Sequence, residues 1–468
     1  MYKHIFDPSI LRSYDIRGIF EKTLNPLDAW MLGFFFGTNI KQNKANQKKP
    51  LIVIGMDGRL SSPVLEDNLN KGLQKAGCDV YRIGIGPTPM LYFASKHFSA
   101  DGAIQVTGSH NPKDHNGFKM VANQNSFFGD DILKLGQLAQ EGVNETHNGS
   151  SKIVKINDEY IKKIIKPILQ NKENLSNQTI VWDCGNGAAG PSINEIVKKL
   201  PGNHIVLFSD VDGNFPNHHP DPTDPSTLKL LSEKMKEVNA NLGIGFDGDG
   251  DRLGILDKKC RPIPGDLLTA FLSKSLVKDI NKTVILDIKS SQVAYDQIIK
   301  NGFKVEIWKT GHSHIKKRMK EINSPLAGEM SGHIFFAEDY FGYDDALFAS
   351  IKLLELITNG YQLENFISDL PVTFPSPEIK VSCPDSIKFD VVQKILSKTL
   401  EDYLPDSIIK LDGVRAQNKN GWWLIRASNT EEKLVIRVEG TSEKSKVLLL
   451  TEVQARLKDV GLTWEIVK

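Results

Sequence analysis

A chain of 468 residues is too long for one hydrophobic core and predicts three or four domains. Its 40% hydrophobic and 25% charged residues mark an ordinary water-soluble globular protein, and a net charge of +1 gives no electrostatic case for nucleic acid as a partner. Four scattered cysteines, Cys78, Cys184, Cys260 and Cys383, form no CxxC pair and read as reduced thiols of a cytoplasmic protein.

The N-terminus carries charges and Pro8 where a signal peptide would have an apolar core. Residues 29–40 are the most hydrophobic run, yet they hold two glycines and are too short to span a bilayer. They predict a buried helix started near Asn25-Pro26, and no membrane partner. Next, one pattern recurs: an apolar strand that ends on an aspartate-led polar loop. Leu51–Met56 leads into Asp57-Gly58-Arg59, residues 179–182 into Asp183-Cys184-Gly185, Leu242–Phe246 into Asp247, and residues 284–286 into Asp287. Such alternation of strand, polar loop and helix is the pattern of α/β units, with ligands expected at the strand ends. Breaks are expected in the polar or Pro-bearing stretches 142–151, 257–264 and 370–376, dividing the chain into 1–150, 151–257, 258–370 and 371–468. In the last segment, residues 422–427 and 433–438 read as an antiparallel pair around the loop 428–432, so that domain is expected to be α+β.

The loop Asp247-Gly-Asp249-Gly-Asp251, followed by Arg252, carries the strongest chemical signal. Three carboxylates so close repel one another unless a cation sits among them, and the glycines let the backbone curl so that all three aim at one point. An EF-hand is excluded, because its sixth and twelfth places hold Arg252 and Lys258. Oxygen ligands without nearby Cys or His favour Mg²⁺.

Thr107-Gly108-Ser109-His110-Asn111-Pro112 follows the strand 103–106. The small Gly108 is expected to leave the Ser109 hydroxyl approachable, with His110 and Lys119 able to supply charge or move a proton beside it. The bland alternative is a turn that caps its own backbone. Glu329, Ser331 and His333 stand at alternate positions of Gly328-Glu-Met-Ser-Gly-His333. In an extended segment they would face one way and grip vicinal sugar hydroxyls. Arg426-Ala-Ser428-Asn429-Thr430 offers a guanidinium, hydroxyls and an amide to a phosphate. Gly185, Gly187 and Gly190, with Asp210 further on, fit a dinucleotide fingerprint, but a dehydrogenase would leave the triple-Asp loop unexplained.

The strings SYDIRG (from Ser13), TGSHNP, DGDGDR, GEMSGH and RASNT occur in this order along nearly the whole chain. Together they closely resemble the α-D-phosphohexomutase family, and GEMSGH looks most like its bacterial phosphomannomutase/phosphoglucomutase branch. The resemblance implies four domains around a central cleft: three of one mixed α/β design and a smaller α+β fourth. It implies a phosphoserine at Ser109, Mg²⁺ held by Asp247, Asp249 and Asp251 together with an oxygen on Ser109, and basic positions at Arg17, His110, Lys119, Arg252, Lys289 and His312. Tyr14, Glu329, Ser331 and His333 would meet the sugar, and Arg426, Ser428, Asn429 and Thr430 the phosphate that does not react. Either His110 or Lys119 would be the general base. Hexose 1-phosphates and 6-phosphates would be the substrates, and a hexose 1,6-bisphosphate the activator. The alternatives are a phosphoglucosamine mutase, against which Met330 argues, a metal-dependent sugar phosphatase, and a sugar-phosphate sensor without turnover. Glu431-Glu432, where the family often has proline, brings negative charge to the phosphate loop.

Overall fold

The computed structural model describes residues 1–43, 48–144, 147–428 and 431–464. The first sheet is built from β1 (Ile16–Ile19), β2 (Leu51–Met56), β3 (Asp79–Ile85), β4 (Gly102–Val106), β5 (His115–Ala122), β6 (Asn125–Phe127) and β7 (Ser151–Ile153). The second holds β8 (Thr179–Asp183), β9 (Asn203–Leu207), β10 (Leu242–Phe246), β11 (Leu253–Leu256) and β12 (Pro262–Ile263). The third holds β13 (Thr283–Asp287), β14 (Lys304–Trp308), β15 (Leu326–Gly328), β16 (Ile334–Phe336) and β17 (Tyr343–Asp344). These three sheets share one strand pattern. Parallel strands β3-β2-β4, β9-β8-β10 and β14-β13-β15 are each followed by an antiparallel neighbour, β5, β11 and β16.

This repeat positions the chemistry. The loops carrying Ser109, the three aspartates and Glu329 all leave the third parallel strand of their sheet, where the strand direction reverses. Carboxyl ends of parallel strands at such a reversal form the natural crevice of an α/β sheet. The strands β4 and β10 are buried along their whole length, as sheets covered on both faces require.

The fourth sheet is antiparallel: β18 (Phe374–Pro375), β19 (Ile379–Ser382), β20 (Ile408–Ile409), β21 (Val414–Asn418), β22 (Gly421–Ala427) and β23 (Lys433–Gly440). The expected hairpin is β22 and β23. Two of the expected breaks fall inside sheets. β7 pairs with β3 beyond residue 150, and β12 pairs with β11 beyond residue 257. Both are short edge strands of two or three residues, one exposed and polar and the other opened by proline, so composition alone reads them as linkers.

The apolar run 29–40 lies in the helix Pro26–Gln42, with Asn25 and Asp28 forming a reciprocal cap at its start. Its glycines serve contact with the helix Ser62–Lys75. A Cβ on Gly33 would stand 2.3 Å from the Leu69 carbonyl oxygen, so the two backbones touch. No helix among the described residues is long and apolar enough to cross a membrane.

One apolar cluster joins the first three domains, running from Val53 and Phe93 through Trp182 and Phe246 to Phe336 and Phe348. The fourth domain has its own core around Trp423, Ile436 and Val453. It docks on the loop after β13 through Ile288, Trp422 and Leu424, and through Arg415, which donates to the carbonyls of Ile288 and Ser290 at 2.8 and 2.7 Å.

Asp345 caps the helix Ala346–Thr358 and accepts hydrogen bonds from Tyr160 (3.0 Å) and Tyr340 (2.6 Å), tying the second domain to the third. Burial pushes its carboxyl up to about 7, against the Tyr340, Phe348 and Tyr160 hydrogen bonds. The folded form therefore binds this proton more tightly than the unfolded chain. The resulting stabilisation is complete below about pH 4, where a free Asp titrates, and is lost as pH rises through about 7. Urea midpoints of the native protein are expected to fall over that window, and Asp345→Asn to flatten the decline. An equal decline in the variant would assign it to other groups.

Candidate active site

Ser109 sits in the loop after β4 with φ +50°, the left-handed conformation that a non-glycine residue adopts only when its surroundings impose it. Those surroundings are Asp57 and Arg59 at the end of β2. Arg59 is fully buried and donates to the carbonyls of Ser109 (2.7 Å), Asn111 (2.6 Å) and His115 (3.0 Å). Asp57 accepts from the Thr107 hydroxyl (2.8 Å), from Gly108 N–H (3.1 Å) and from Arg59 itself (3.2 Å). The role expected for Gly108 is corrected here. A Cβ there would stand 2.5 Å from the Arg59 guanidinium carbon, so glycine makes room for the arginine beneath the loop rather than for an approach to the hydroxyl.

The Ser109 hydroxyl donates to Asp247 Oδ2 at 2.9 Å, and His110 Nδ1 lies 3.2 Å from the Ser109 Oγ. Gly248 allows the two loops to meet, because a Cβ there would be 2.5 Å from the Ser109 carbonyl oxygen. Asp247 Oδ1 accepts from the backbone N–H groups of Asp251 and Arg252, both at 3.1 Å, which curls the acidic loop. Lys119 on β5 donates to Asp249 (2.7 Å) and to Asp251, while Thr88 donates to Asp249.

All three aspartates are fully buried, and one oxygen of each lies within 4.8 Å of the others. Burial disfavours the Lys119 charge, but Asp249, Asp251 and Asp247 outweigh it and hold the ammonium above its ordinary range. Burial and Asp251 oppose ionisation of Asp249, and Lys119 outweighs both. Asp247 is left over: burial, Asp251 and Asp249 push it well above the usual carboxylate range. Asp249 Oδ1 and Asp251 Oδ1 are buried without a hydrogen-bond partner among the described residues. Surplus negative charge and unused buried oxygens fit a divalent cation with oxygen ligands.

The GEMSGH segment corrects a second expectation. It is a turn, not an extended strand: Gly332 has φ +86°, and its N–H bonds the Glu329 carbonyl at 3.0 Å. The turn places His333 Nδ1 3.0 Å from Glu329 Oε2, so these two residues do face together, while Ser331 Oγ is 3.4 Å from the same nitrogen. Glu329 Oε1 also accepts from Gly311 N–H at 2.7 Å. His333 Nε2 is 3.3 Å from Asp251 Oδ1 and 3.3 Å from Arg252 Nε. Burial and Arg252 disfavour its charge, but Asp251 and Glu329 prevail and push it up to about 9.

The remaining candidates line a cleft of about 1080 Å³ reached by all four domains. Arg17 (paired with Asp15 and with Asn111 at 2.9 Å), His110 and Lys119 come from the first domain, and Arg252 from the second. Lys289, His312, Glu329, Ser331 and His333 come from the third, and Arg426 and Ser428 from the fourth. Tyr14 also lines the cleft, and its hydroxyl donates to the Thr310 carbonyl at 3.0 Å. Burial, Arg252 and Arg17 keep His110 well below its ordinary range, and burial and Lys316 do the same for His312. Arg426 is paired with Asp412 at 3.1 Å. Asn429 and Thr430 lie outside the described residues. Glu431, expected to bring negative charge, is answered by Lys380 at 2.7 Å and Lys433 at 3.2 Å.

The glycine fingerprint after β8 has a packing cause. A Cβ on Gly187 would be 2.8 Å from the Gly248 carbonyl oxygen, and one on Gly190 would be 2.0 Å from that of Ser209. Gly187 thus seats the acidic loop, and Gly190 seats the loop after β9. Sequence reasoning missed Arg59 and Thr88 as parts of the site. Arg59 stood in plain view after a strand-ending aspartate, but only the fold shows that it points under the serine loop and that Thr88 meets Asp249 of the acidic loop.

Four family models match consecutive stretches of the chain: phosphoglucomutase/phosphomannomutase α/β/α domains I, II and III at residues 8–142, 158–261 and 264–374, and the C-terminal domain at 378–455. The chain belongs to the phosphoglucomutase/phosphomannomutase family. Among its relatives, a phosphomannomutase/phosphoglucomutase of Pseudomonas putida is 39% identical over 457 residues, covering 97% of this chain and 95% of the relative. A phosphoglucomutase of Neisseria gonorrhoeae is 36% identical and covers 96% of each chain. A crystal structure of a family protein from Burkholderia thailandensis superposes with a TM-score of 0.88 at 33% identity, covering 98% of this chain and 100% of that one.

Arg59→Ala is expected to lower stability by about 3–5 kcal/mol, because it leaves Asp57 buried and uncompensated. Denaturant unfolding measures it, and a loss below about 1 kcal/mol would show that the loop holds its shape without the guanidinium.

Proposed function

We propose that this protein transfers a phosphoryl group between C1 and C6 of mannose and glucose phosphates, through a phosphoserine at Ser109 and a bisphosphorylated sugar. The observation that carries the proposal is the 2.9 Å contact between the buried Ser109 hydroxyl and Asp247, whose neighbours His110 and Arg252 line a cleft that receives basic side chains from every domain. The relatives named above, matched over nearly their full length, support the same substrates.

In the forward half-reaction a free sugar hydroxyl attacks the phosphorus on Ser109. A bond forms to the sugar oxygen, and the bond to the seryl oxygen breaks. His110, kept neutral by burial and by Arg252 and Arg17, is suited to take the sugar proton and return it to the departing seryl oxygen. Lys119, held as an ammonium by the aspartates, is suited to neutralise phosphoryl charge instead. Mg²⁺ fits Asp247, Asp249 and Asp251, and when bound it would neutralise further charge on the phosphoryl oxygens.

The bisphosphate then turns end for end and offers its other phosphate to Ser109. Arg426 and Ser428, with Asn429 and Thr430, would clamp whichever phosphate is idle. Arg17, Arg252, Lys289 and His312 would line the path, and Tyr14, Glu329, Ser331 and His333 would hold the sugar in both orientations. A hexose 1,6-bisphosphate would act as activator by phosphorylating an empty Ser109. We place the protein in the cytoplasm, a reading supported by Cys184, Cys260 and Cys383, which form no disulfide.

Ser109→Ala is expected to lower kcat by about four orders of magnitude or more, while mannose and glucose 1-phosphates still bind. A coupled assay for the 6-phosphates measures this, and near-normal turnover would remove the covalent role. Arg426→Ala is expected to weaken 1-phosphates and 6-phosphates alike, by about tenfold to a hundredfold for a lost charged hydrogen bond. Binding titrations in which only one isomer suffers would exclude a shared clamp.

A further inference from the structure

A second cavity, of about 890 Å³, opens between the first and third domains and shares no lining residue with the substrate cleft. Its size is that of a small-molecule site, for which roughly 300–1,000 Å³ is usual. The helix Thr88–His97 and the β5–β6 hairpin form one side, and the helix His312–Ile322 with the segment from β16 to β17 forms the other. Tyr92 and Phe128 give the first domain's side an aromatic wall, and Phe341 and Tyr343 do the same for the third. Phe341 leaves 38% of its surface open while its ring stacks on Tyr343 with the centres 5.8 Å apart.

The charge in this cavity is one-sided. Lys96, Lys282, Lys316, Lys317 and Lys320 all line it. Lys282 is answered by Glu338 at 2.7 Å and Lys316 by Asp344 at 2.9 Å, while Glu321 is taken by Arg318 at 3.1 Å. Among the described residues, Lys96, Lys317 and Lys320 form no ion pair, and Asp131 is the one lining carboxylate left to offset them. Lys320 donates to Asn125 Oδ1 at 2.6 Å, which brings it across to the first domain. Burial and Lys320 hold the Lys96 ammonium below its ordinary range, so these two like charges disfavour one another. An anion shared by both relieves that repulsion.

We propose that this cavity binds a nucleoside phosphate, with its base on the aromatic wall and its phosphates on Lys96, Lys317 and Lys320, and that occupation lowers turnover. Every base offers a π-face to aromatic side chains, and ammonium groups hold phosphates as point charges. A sugar phosphate would use the lysines and leave the aromatic wall uncovered. Lys316 carries the coupling. Its ammonium stands 4.3 Å from the centre of the Tyr92 ring and, one helical turn back, donates to His312 Nδ1 at 3.0 Å. His312 lines the substrate cleft. Phosphates in the cavity compete for this ammonium and draw it from His312. The effect on turnover rests on the assignment of His312 to the substrate path; the binding does not.

The test uses the full chain at fixed free Mg²⁺, with ADP as the probe and excess glucose 1,6-bisphosphate to fill the cleft. Calorimetric titration is expected to show one ADP per chain, with adenosine and inorganic pyrophosphate each weaker. The double variant Lys96→Gln, Lys320→Gln should keep basal turnover and weaken ADP by about tenfold or more, as for a lost charged hydrogen bond. Phe341→Ala should weaken ADP and leave pyrophosphate unchanged. Phosphorus NMR follows glucose 1-phosphate to the 6-phosphate without a coupling nucleotide. Saturating ADP should lower kcat by about fivefold or more in the native protein, the lower end of ordinary allosteric coupling, and should have no effect on the double variant. No ADP binding, adenosine or pyrophosphate binding as tightly as ADP, or an affinity unchanged in the double variant would overturn the site. ADP binding without loss of turnover would sustain the site and overturn the coupling through Lys316. A native protein without turnover would overturn the mutase reading, and the titrations would still decide the site.

Discussion

Three buried carboxylates within five residues can coexist only where positive charge meets them, and the site is organised around that constraint. Lys119 reaches Asp249 and Asp251 from another domain, and Thr88 reaches Asp249 from the same side. The seryl hydroxyl takes the remaining carboxylate, Asp247. The acidic loop is therefore what the first and second domains share, and Gly248 and Gly187 keep the backbone there free of side chains that would hold the loops apart. Charge left unanswered on this loop is what makes it a place for a cation and a phosphoryl group.

Repetition supplies the geometry. Each of the first three sheets sends its chemical loop out from its third parallel strand, so a single topological position provides a serine, an acidic hook and a glutamate–histidine turn. The aspartate that ends the first parallel strand is reused as well. Asp57 holds the serine loop in the first domain, and Asp287 accepts from Met330 N–H at 3.2 Å in the third. In the second domain Asp183 turns instead to His218, 3.0 Å away. The same architecture thus supports three different side-chain sets without rebuilding the scaffold.

Much of the site was legible as short strings. The three aspartates belong to a segment whose composition has few structural uses, since clustered like charge is costly unless something binds there, whereas the Ser109 and Arg426 segments could each be an ordinary polar turn and gained their reading only from standing in order with the other strings. Spacing was less dependable. The alternation of Glu329, Ser331 and His333 suggested an extended segment, yet the positive φ of Gly332 folds it into a turn, and Glu329 meets His333 across four residues. Gly108 was misread for the opposite reason: the atom that needs its missing Cβ belongs to Arg59, far away in the chain.

The sequence by itself determined the main elements and the shared α/β design, because periodicity, glycine placement and charge clustering act locally, and its five motif strings pointed to the family and to many of the polar groups that line the cleft. Tertiary structure alone decided which groups meet. That Lys119 answers Asp251, that Arg59 supports Ser109, and that Asp344 stands beside His333 are outcomes of packing three sheets on one apolar core. Electrostatic and hydrogen-bond energies depend on distance in space, and residues from 11 to 132 positions apart acquire that distance only when the chain has folded.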